Sequence, residues 1–239
     1  MAAPKYGLNP HLAKACPEPP VPLAKAWAAS YPGSSSPFAS SSSSSSASPP
    51  SQPLLNLAQG VPGHAPHASL IERMSQEAKR APMETHGYGH VFGDASLRQA
   101  LSHDLSTVYG AEVSVDKVAC TAGCNMAAAV VFHALAQPGE AIVLPTPWYF
   151  NHQMTLASLA VEAVPLPTQS PAFLPSAQAF EDLVRRHNYG PASSSLPRIK
   201  AVVLVTPNNP TGSIYPHQLL DDFYAICARE GVALIVDET

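Results

Sequence analysis

Two apolar, β-branched runs near the carboxyl end break into polar turns, and they constrain the fold more than any other feature of the chain. The first is Val202-Val203-Leu204-Val205, which gives way to Thr206-Pro207-Asn208-Asn209-Pro210-Thr211-Gly212. The second is Val232-Ala233-Leu234-Ile235-Val236, which delivers Asp237. Short unbroken runs of Val, Ile and Leu bounded by turn residues are buried strands. A rigid polar turn at the carboxyl end of a parallel strand is where α/β folds place ligand contacts.

The chain alternates in the same manner from residue 67 onward. Helical spacing is expected over 69–80, with Leu70, Ile71, Met74 and Ala78 as its apolar positions. Asp94 caps a second helix that runs to Tyr109, with Leu97, Leu101, Leu105 and Val108 on one face and Gly110 as its stop. Further helices are expected over 125–136, 151–159, 176–187 and 216–230, and strands over 118–120, 141–144, 161–164, 201–205 and 232–236. Strands alternating with helices imply an α/β fold with a mainly parallel sheet and helices on both faces.

Ahead of that series, 23–29 has helical character and 54–63 reads as a short strand entering a glycine turn. Between them, 34–53 holds seven consecutive serines from Ser40 to Ser46, flanked by Pro37, Pro49, Pro50 and Pro53. Such a segment buries too little apolar area to offset its ordering entropy, and it is expected to be a disordered insertion. The organisation expected is an entry segment over 1–33, this insertion over 34–53, and a large domain over 54–239.

Charge excludes several partner classes. Charged residues make up 13% of the chain, the formal net charge is −4, and Lys and Arg are scattered, so no nucleic-acid surface is expected. Cys16, Cys120, Cys124 and Cys227 have neither zinc-type pairing nor the density of a disulfide scaffold. Reduced thiols, no metal site and a cytoplasmic location are therefore expected. No apolar stretch approaches the ~20 residues that span a bilayer, and the N-terminus lacks the apolar core of a secretory signal.

The chemistry-bearing residues fall at strand ends and glycine turns. Ala122-Gly123-Cys124-Asn125 lies between a strand and a helix opening, where free amides and the positive helix end favour an anion. Cys124, with Cys120 four residues earlier, reads either as a nucleophile or metal ligand or as a small side chain suited to a crowded turn, and the last reading is preferred. In Pro147-Trp148-Tyr149-Phe150-Asn151-His152, one ring can stack on a planar ligand, Tyr149 or its neighbour Trp148. His152 is either an ordinary helix-start histidine or a partner of a buried acid. Asp237, at the end of an apolar strand, is costly to bury without a partner. Asn208 and Asn209 are candidates for turn capping or ligand contact. Tyr88, in Gly87-Tyr88-Gly89, precedes the Asp94 helix, and Gly60 closes the segment before it.

Taken in order, Tyr88, the Gly123 turn, Tyr149, Asn209 before Pro210-Thr211-Gly212, and Asp237 resemble the class I/II aminotransferases. These belong to the fold-type I pyridoxal-phosphate enzymes. The resemblance implies that Gly123, Cys124 and Asn125 hold the phosphate of pyridoxal 5'-phosphate and that Tyr149 stacks on its ring. It implies that Asn209 contacts the 3-oxygen, that Asp237 pairs with the ring nitrogen, and that His152 stands behind Asp237. Tyr88 would reach the phosphate of the neighbouring subunit in a homodimer, and the Gly60 backbone would meet the substrate carboxylate. The implied reaction moves an amino group between an amino acid and a 2-oxo acid. A lyase or an aminocyclopropane-carboxylate-synthase-like enzyme on the same fold is the alternative, as is a non-catalytic relative that binds cofactor or a partner. The family's Schiff-base lysine lies beyond the strand-end Asp. Here the six lysines are Lys5, Lys14, Lys25, Lys79, Lys117 and Lys200, and none follows Asp237. The chain is thus expected to be an N-terminal part, ending before the last strands and the C-terminal lobe, with no catalytic residue and no activity of its own.

Overall fold

The computed structural model describes Leu12, residues 20–31, Leu55, Leu57, Gly60, and residues 63–80 and 86–239. The serine-rich insertion expected over 34–53 lies outside the described residues, as does most of 54–63, and Leu55, Leu57 and Gly60 carry no strand. The chain divides into two compact units, Glu18–Gly89 and Met1–Pro17 with His90–Thr239.

The first unit contains helices α1 (Pro20–Ser30) and α2 (Ala68–Ala78). Nothing on either helix is buried. In α2 the His67 side chain serves as the cap, accepting from the Ser69 amide.

The second unit carries the regular alternation. Its elements are α3 (Ala95–Tyr109), a 3-10 turn (Val115–Lys117), α4 (Cys124–Leu135), β1 (Ala141–Thr146), α5 (Phe150–Ser158), β2 (Glu162–Pro167), α6 (Ala177–Asn188), β3 (Ile199–Val205), α7 (His217–Glu230) and β4 (Ala233–Asp237). The four strands form one parallel sheet in the order β2-β1-β3-β4. Strand alternation divides the core in two. Ala141, Val143, Val202 and Leu204 face α6 and α7, where Phe180 and Phe223 stack with ring centroids 5.0 Å apart. Ile142, Leu144, Ala201 and Val203 face Phe132 of α4 and Leu156 of α5. Helices therefore cover both faces at the centre of the sheet, where β1 and β3 are buried on both sides, whereas the edge strand β2 fully buries only Val164 and Leu166.

One irregularity sets the register of β3. Ala141 pairs with Ile199 and Ile142 with Ala201, so Lys200 is the extra residue of a bulge. The bulge turns Ile199 to the same face as Val202. Asn188 closes the ladder there, accepting from the Ile199 amide at 2.9 Å and donating to its carbonyl at 3.0 Å.

The strand expected over 118–120 is absent from the sheet. The backbone at Val118 is extended, but its polar groups are engaged elsewhere. Cys120 donates its amide to the Phe92 carbonyl at 2.9 Å, and the Val118 carbonyl accepts from Arg98 Nε at 2.8 Å. Gly93 permits this approach, since its φ is +97° and an added Cβ would lie 2.8 Å from the Cys120 Cβ. The capping of α3 follows the sequence: Asp94 accepts from the Ser96 and Leu97 amides, and Gly110 ends the helix in the left-handed region. Its apolar face does not form a core, because Leu97 and Val108 are largely exposed and the buried side chain is Arg98. No helix among the described residues is long and apolar enough to cross a membrane.

Candidate functional site

The strand order fixes where a site can form. From β1 the chain goes to β2 on one side, and β3 then lies on the other side of β1. Where order reverses in this way, the loops leaving the carboxyl ends of adjacent strands diverge and leave a crevice. A cleft of about 240 Å³ occupies that position. Tyr149 enters it after β1, Val205, Pro207 and Asn209 come from the end of β3 and its turn, and Asp237 and Thr239 from the end of β4. Cys124 and Asn125, at the start of α4, complete the lining.

Asp237 is the buried charge of this cleft. His152, on α5 and itself buried, places Nε2 3.2 Å from Oδ2. Oδ1 accepts from the Thr239 amide at 3.0 Å, from the Thr239 hydroxyl at 2.6 Å, and from the Cys124 thiol at 3.6 Å. Burial pushes the Asp237 carboxyl up, but Thr239, His152 and Cys124 together outweigh it and hold the group below 3.8. Burial pushes His152 down from 6.5 against the opposing pull of Asp237. At neutral pH the pair is therefore a neutral imidazole donating to a carboxylate rather than an ion pair. A carboxylate only accepts, so the proton sits on Nε2. Phe132 and Tyr149 meet the imidazole edge-on, at 5.6 Å and 5.1 Å between centroids, and hold the ring in place.

The other walls follow from local sequence. Gly123 caps α4 with a φ of +89°, a conformation that favours glycine, and no side chain caps this helix end. The amides of Cys124 and Asn125 thus open the helix at the cleft, where the helix dipole favours negative charge. In the turn after β3 the two asparagines separate. Asn208 is buried and braces the turn: it accepts from the Thr211 amide and hydroxyl and donates to the Tyr215 hydroxyl. Asn209 is exposed and lines the cleft. The two rings after β1 separate likewise. Tyr149 lines the cleft with its hydroxyl accepting from Asn151 at 2.7 Å, whereas Trp148 packs against the core.

Of the residues singled out in sequence, Cys124, Asn125, Tyr149, Asn209 and Asp237 converge here, with Gly123 and His152 directly adjoining. Tyr88 and Gly60 lie in the Glu18–Gly89 unit, where Tyr88 is fully exposed. Thr239, Val205 and Pro207 were not anticipated. Thr239 had a signal, a hydroxyl two residues after an acid, which is a spacing for a local side-chain turn.

The two shifts have one consequence for stability. Folded His152 and folded Asp237 both take up protons at lower pH than in the unfolded chain, so acid favours unfolding. Their contribution is expected to be complete at about pH 8, to decline as pH falls below 6.5, and to decline again below 3.8. Thermal melts at stepped pH should show the first decline in the wild type and a flatter profile in His152→Gln. An identical profile in the two proteins would refute the assignment.

Residues 52–239 match the family model for aminotransferase class I and II. The chain belongs to this family. It is 32% identical over 186 residues to the aromatic aminotransferase ISS1 of Arabidopsis thaliana, covering 77% of this chain and 44% of that protein. Alanine aminotransferase from Pyrococcus furiosus is similar in structure, with a TM-score of 0.59 and 26% identity over 70% of this chain and 40% of that one. The fold is also that of YbdL from Escherichia coli, whose methionine aminotransferase function has been described, at a TM-score of 0.66 and 23% identity over 75% of this chain and 44% of that one. The chain thus spans less than half the length of the relatives it matches. Members of the class I and II family use pyridoxal phosphate.

Proposed function

We propose that this chain forms the cofactor-binding part of a pyridoxal-phosphate-dependent aminotransferase that moves an amino group between an amino acid and a 2-oxo acid. The observation that carries the reading is Asp237, an ionised carboxylate at the end of β4, backed by neutral His152 and facing a cleft that also holds an uncapped helix start. The donor set fits the group: an acceptor for a ring nitrogen, free amides for a phosphate, an amide side chain for a phenolic oxygen, and an aromatic ring for a planar face.

Pyridoxal phosphate, when bound, supplies an electron sink for bonds at the α-carbon of an amino acid. Asp237 would hold a proton at the ring nitrogen, which keeps that sink effective. Burial among Phe132, Tyr149 and β4 shields the His152–Asp237 contact from water, which strengthens it. The Cys124 and Asn125 amides would take the phosphate, Asn209 the 3-oxygen, and Tyr149 the ring face. In a homodimer, Tyr88 would serve the neighbouring subunit's phosphate and Gly60 the substrate carboxylate.

Among the described residues, no lysine lines this cleft. Lys200, on β3, sits 3.8 Å from Glu140, and Lys117 belongs to the 3-10 turn. The 239-residue chain by itself is therefore expected to bind pyridoxal phosphate reversibly and to catalyse no amino transfer, since a lysine supplies both the covalent anchor and the base. Equilibrium dialysis should show saturable uptake of one cofactor per chain. Borohydride treatment should leave no stoichiometric pyridoxyl-lysine. No saturable uptake would overturn the cofactor reading, and a single adduct on Lys117 or Lys200 would overturn the expected inactivity.

A further inference from the structure

We propose that Cys124 is a positioning residue for Asp237, its thiol occupying one carboxylate oxygen so that the other is presented to the cofactor ring. The inference rests on the cofactor reading above. Oδ1 of Asp237 receives three donors, the Cys124 thiol at 3.6 Å, the Thr239 amide at 3.0 Å and the Thr239 hydroxyl at 2.6 Å. Oδ2 receives one, His152 Nε2 at 3.2 Å. An ionised carboxylate offers about two lone-pair sites on each oxygen; on Oδ1 the Cys124 thiol and the two Thr239 donors share them and leave none to spare, whereas Oδ2 retains capacity. The acceptor left for a ring nitrogen is Oδ2.

Cys124 is also the first residue of α4, the helix whose opening amides face the same cleft. One residue therefore ties the anion-binding helix end to the carboxylate at the far end of β4, across 113 positions of sequence. The thiol donates to the carboxylate in this contact, which ties down an otherwise exposed cysteine. The groups that face Asp237 are His152 from α5, Cys124 from α4 and Thr239, with Tyr149 sharing the cleft. Glu238, the next residue, is bonded to the Tyr109 hydroxyl instead.

Two measurements test this. The first needs no cofactor: the rate at which iodoacetamide modifies Cys124 in the folded chain, followed by peptide mass spectrometry. Asp237→Asn weakens the acceptor that holds the thiol, and the rate should rise roughly fivefold, the size of one hydrogen bond. An unchanged rate would show that thiol and carboxylate do not interact, which overturns the proposal. The second is pyridoxal phosphate uptake at about pH 8 by the wild type, Cys124→Ala and Cys124→Ser, with circular dichroism as the check on folding. Removing the donor loosens the Asp237 carboxylate, and affinity should fall roughly threefold in Cys124→Ala, the size of one weak hydrogen bond. Cys124→Ser keeps a donor and should restore most of the wild-type affinity. Equal affinity in all three proteins, or the same defect in Ser as in Ala, overturns the proposal and leaves the cofactor reading standing. A wild type that takes up no cofactor overturns both.

Discussion

Asp237→Ala is expected to weaken pyridoxal phosphate uptake by roughly 100-fold, because truncating one partner of a buried charged pair costs about 2–5 kcal/mol and each 1.4 kcal/mol is a factor of ten. The carboxylate is 9% exposed and carries four hydrogen-bond contacts, so little water could replace it. Asp237→Asn keeps the shape but donates where an acceptor is needed, and it should lose nearly as much. Equilibrium dialysis on the three proteins measures both effects. A loss below threefold in Asp237→Ala would mean that the ring nitrogen does not meet this residue.

The largest expected effect on stability lies elsewhere. Phe180 is fully buried on α6 and stacks on Phe223 of α7 at 5.0 Å and 16° between planes. That pair joins the two helices covering one face of the sheet. Phe180→Ala removes the ring and leaves a cavity that a close-packed interior refills only in part, at a cost of about 3–5 kcal/mol. Native domains are stable by only about 5–15 kcal/mol, so the urea midpoint should fall by roughly a fifth of its value or more. Tyr224→Ala, one position along α7 from Phe223 but largely exposed, should change stability by less than about 0.5 kcal/mol. Equal midpoints for Phe180→Ala and wild type would contradict the packing described for this face.

The parts of this fold that were legible in sequence are those fixed by local pattern. The run that breaks into the Asn209 turn and the run that delivers Asp237 were apolar on both faces, the pattern of helix-covered parallel strands. Asp94 and Gly110 bounded α3 because capping is a property of a few adjacent residues. The segment at 118–120 has the composition of a strand but not the partner, and pairing is a tertiary fact that composition does not carry. The bulge at Lys200 was hidden for the same reason, although a lone polar residue in an apolar run marks the place. In the site, position could be read but contact could not. Tyr149 and Trp148 were separable only when Trp148 was seen in the core, and Asn208 and Asn209 only when Asn208 was seen bracing its turn. The contact between Cys124 and Asp237 joins residues 113 positions apart, and no local periodicity reports it.

The most direct measurement is the nitrogen-15 resonance of ring-labelled pyridoxal phosphate bound to the chain at about pH 8. An ionised Asp237 held by His152, Thr239 and Cys124 stabilises a proton on the ring nitrogen, so the wild type should give the shift of a protonated pyridinium and Asp237→Ala that of a neutral ring. A neutral ring in the wild-type complex, or the same resonance in both proteins, would contradict the assignment of this cleft.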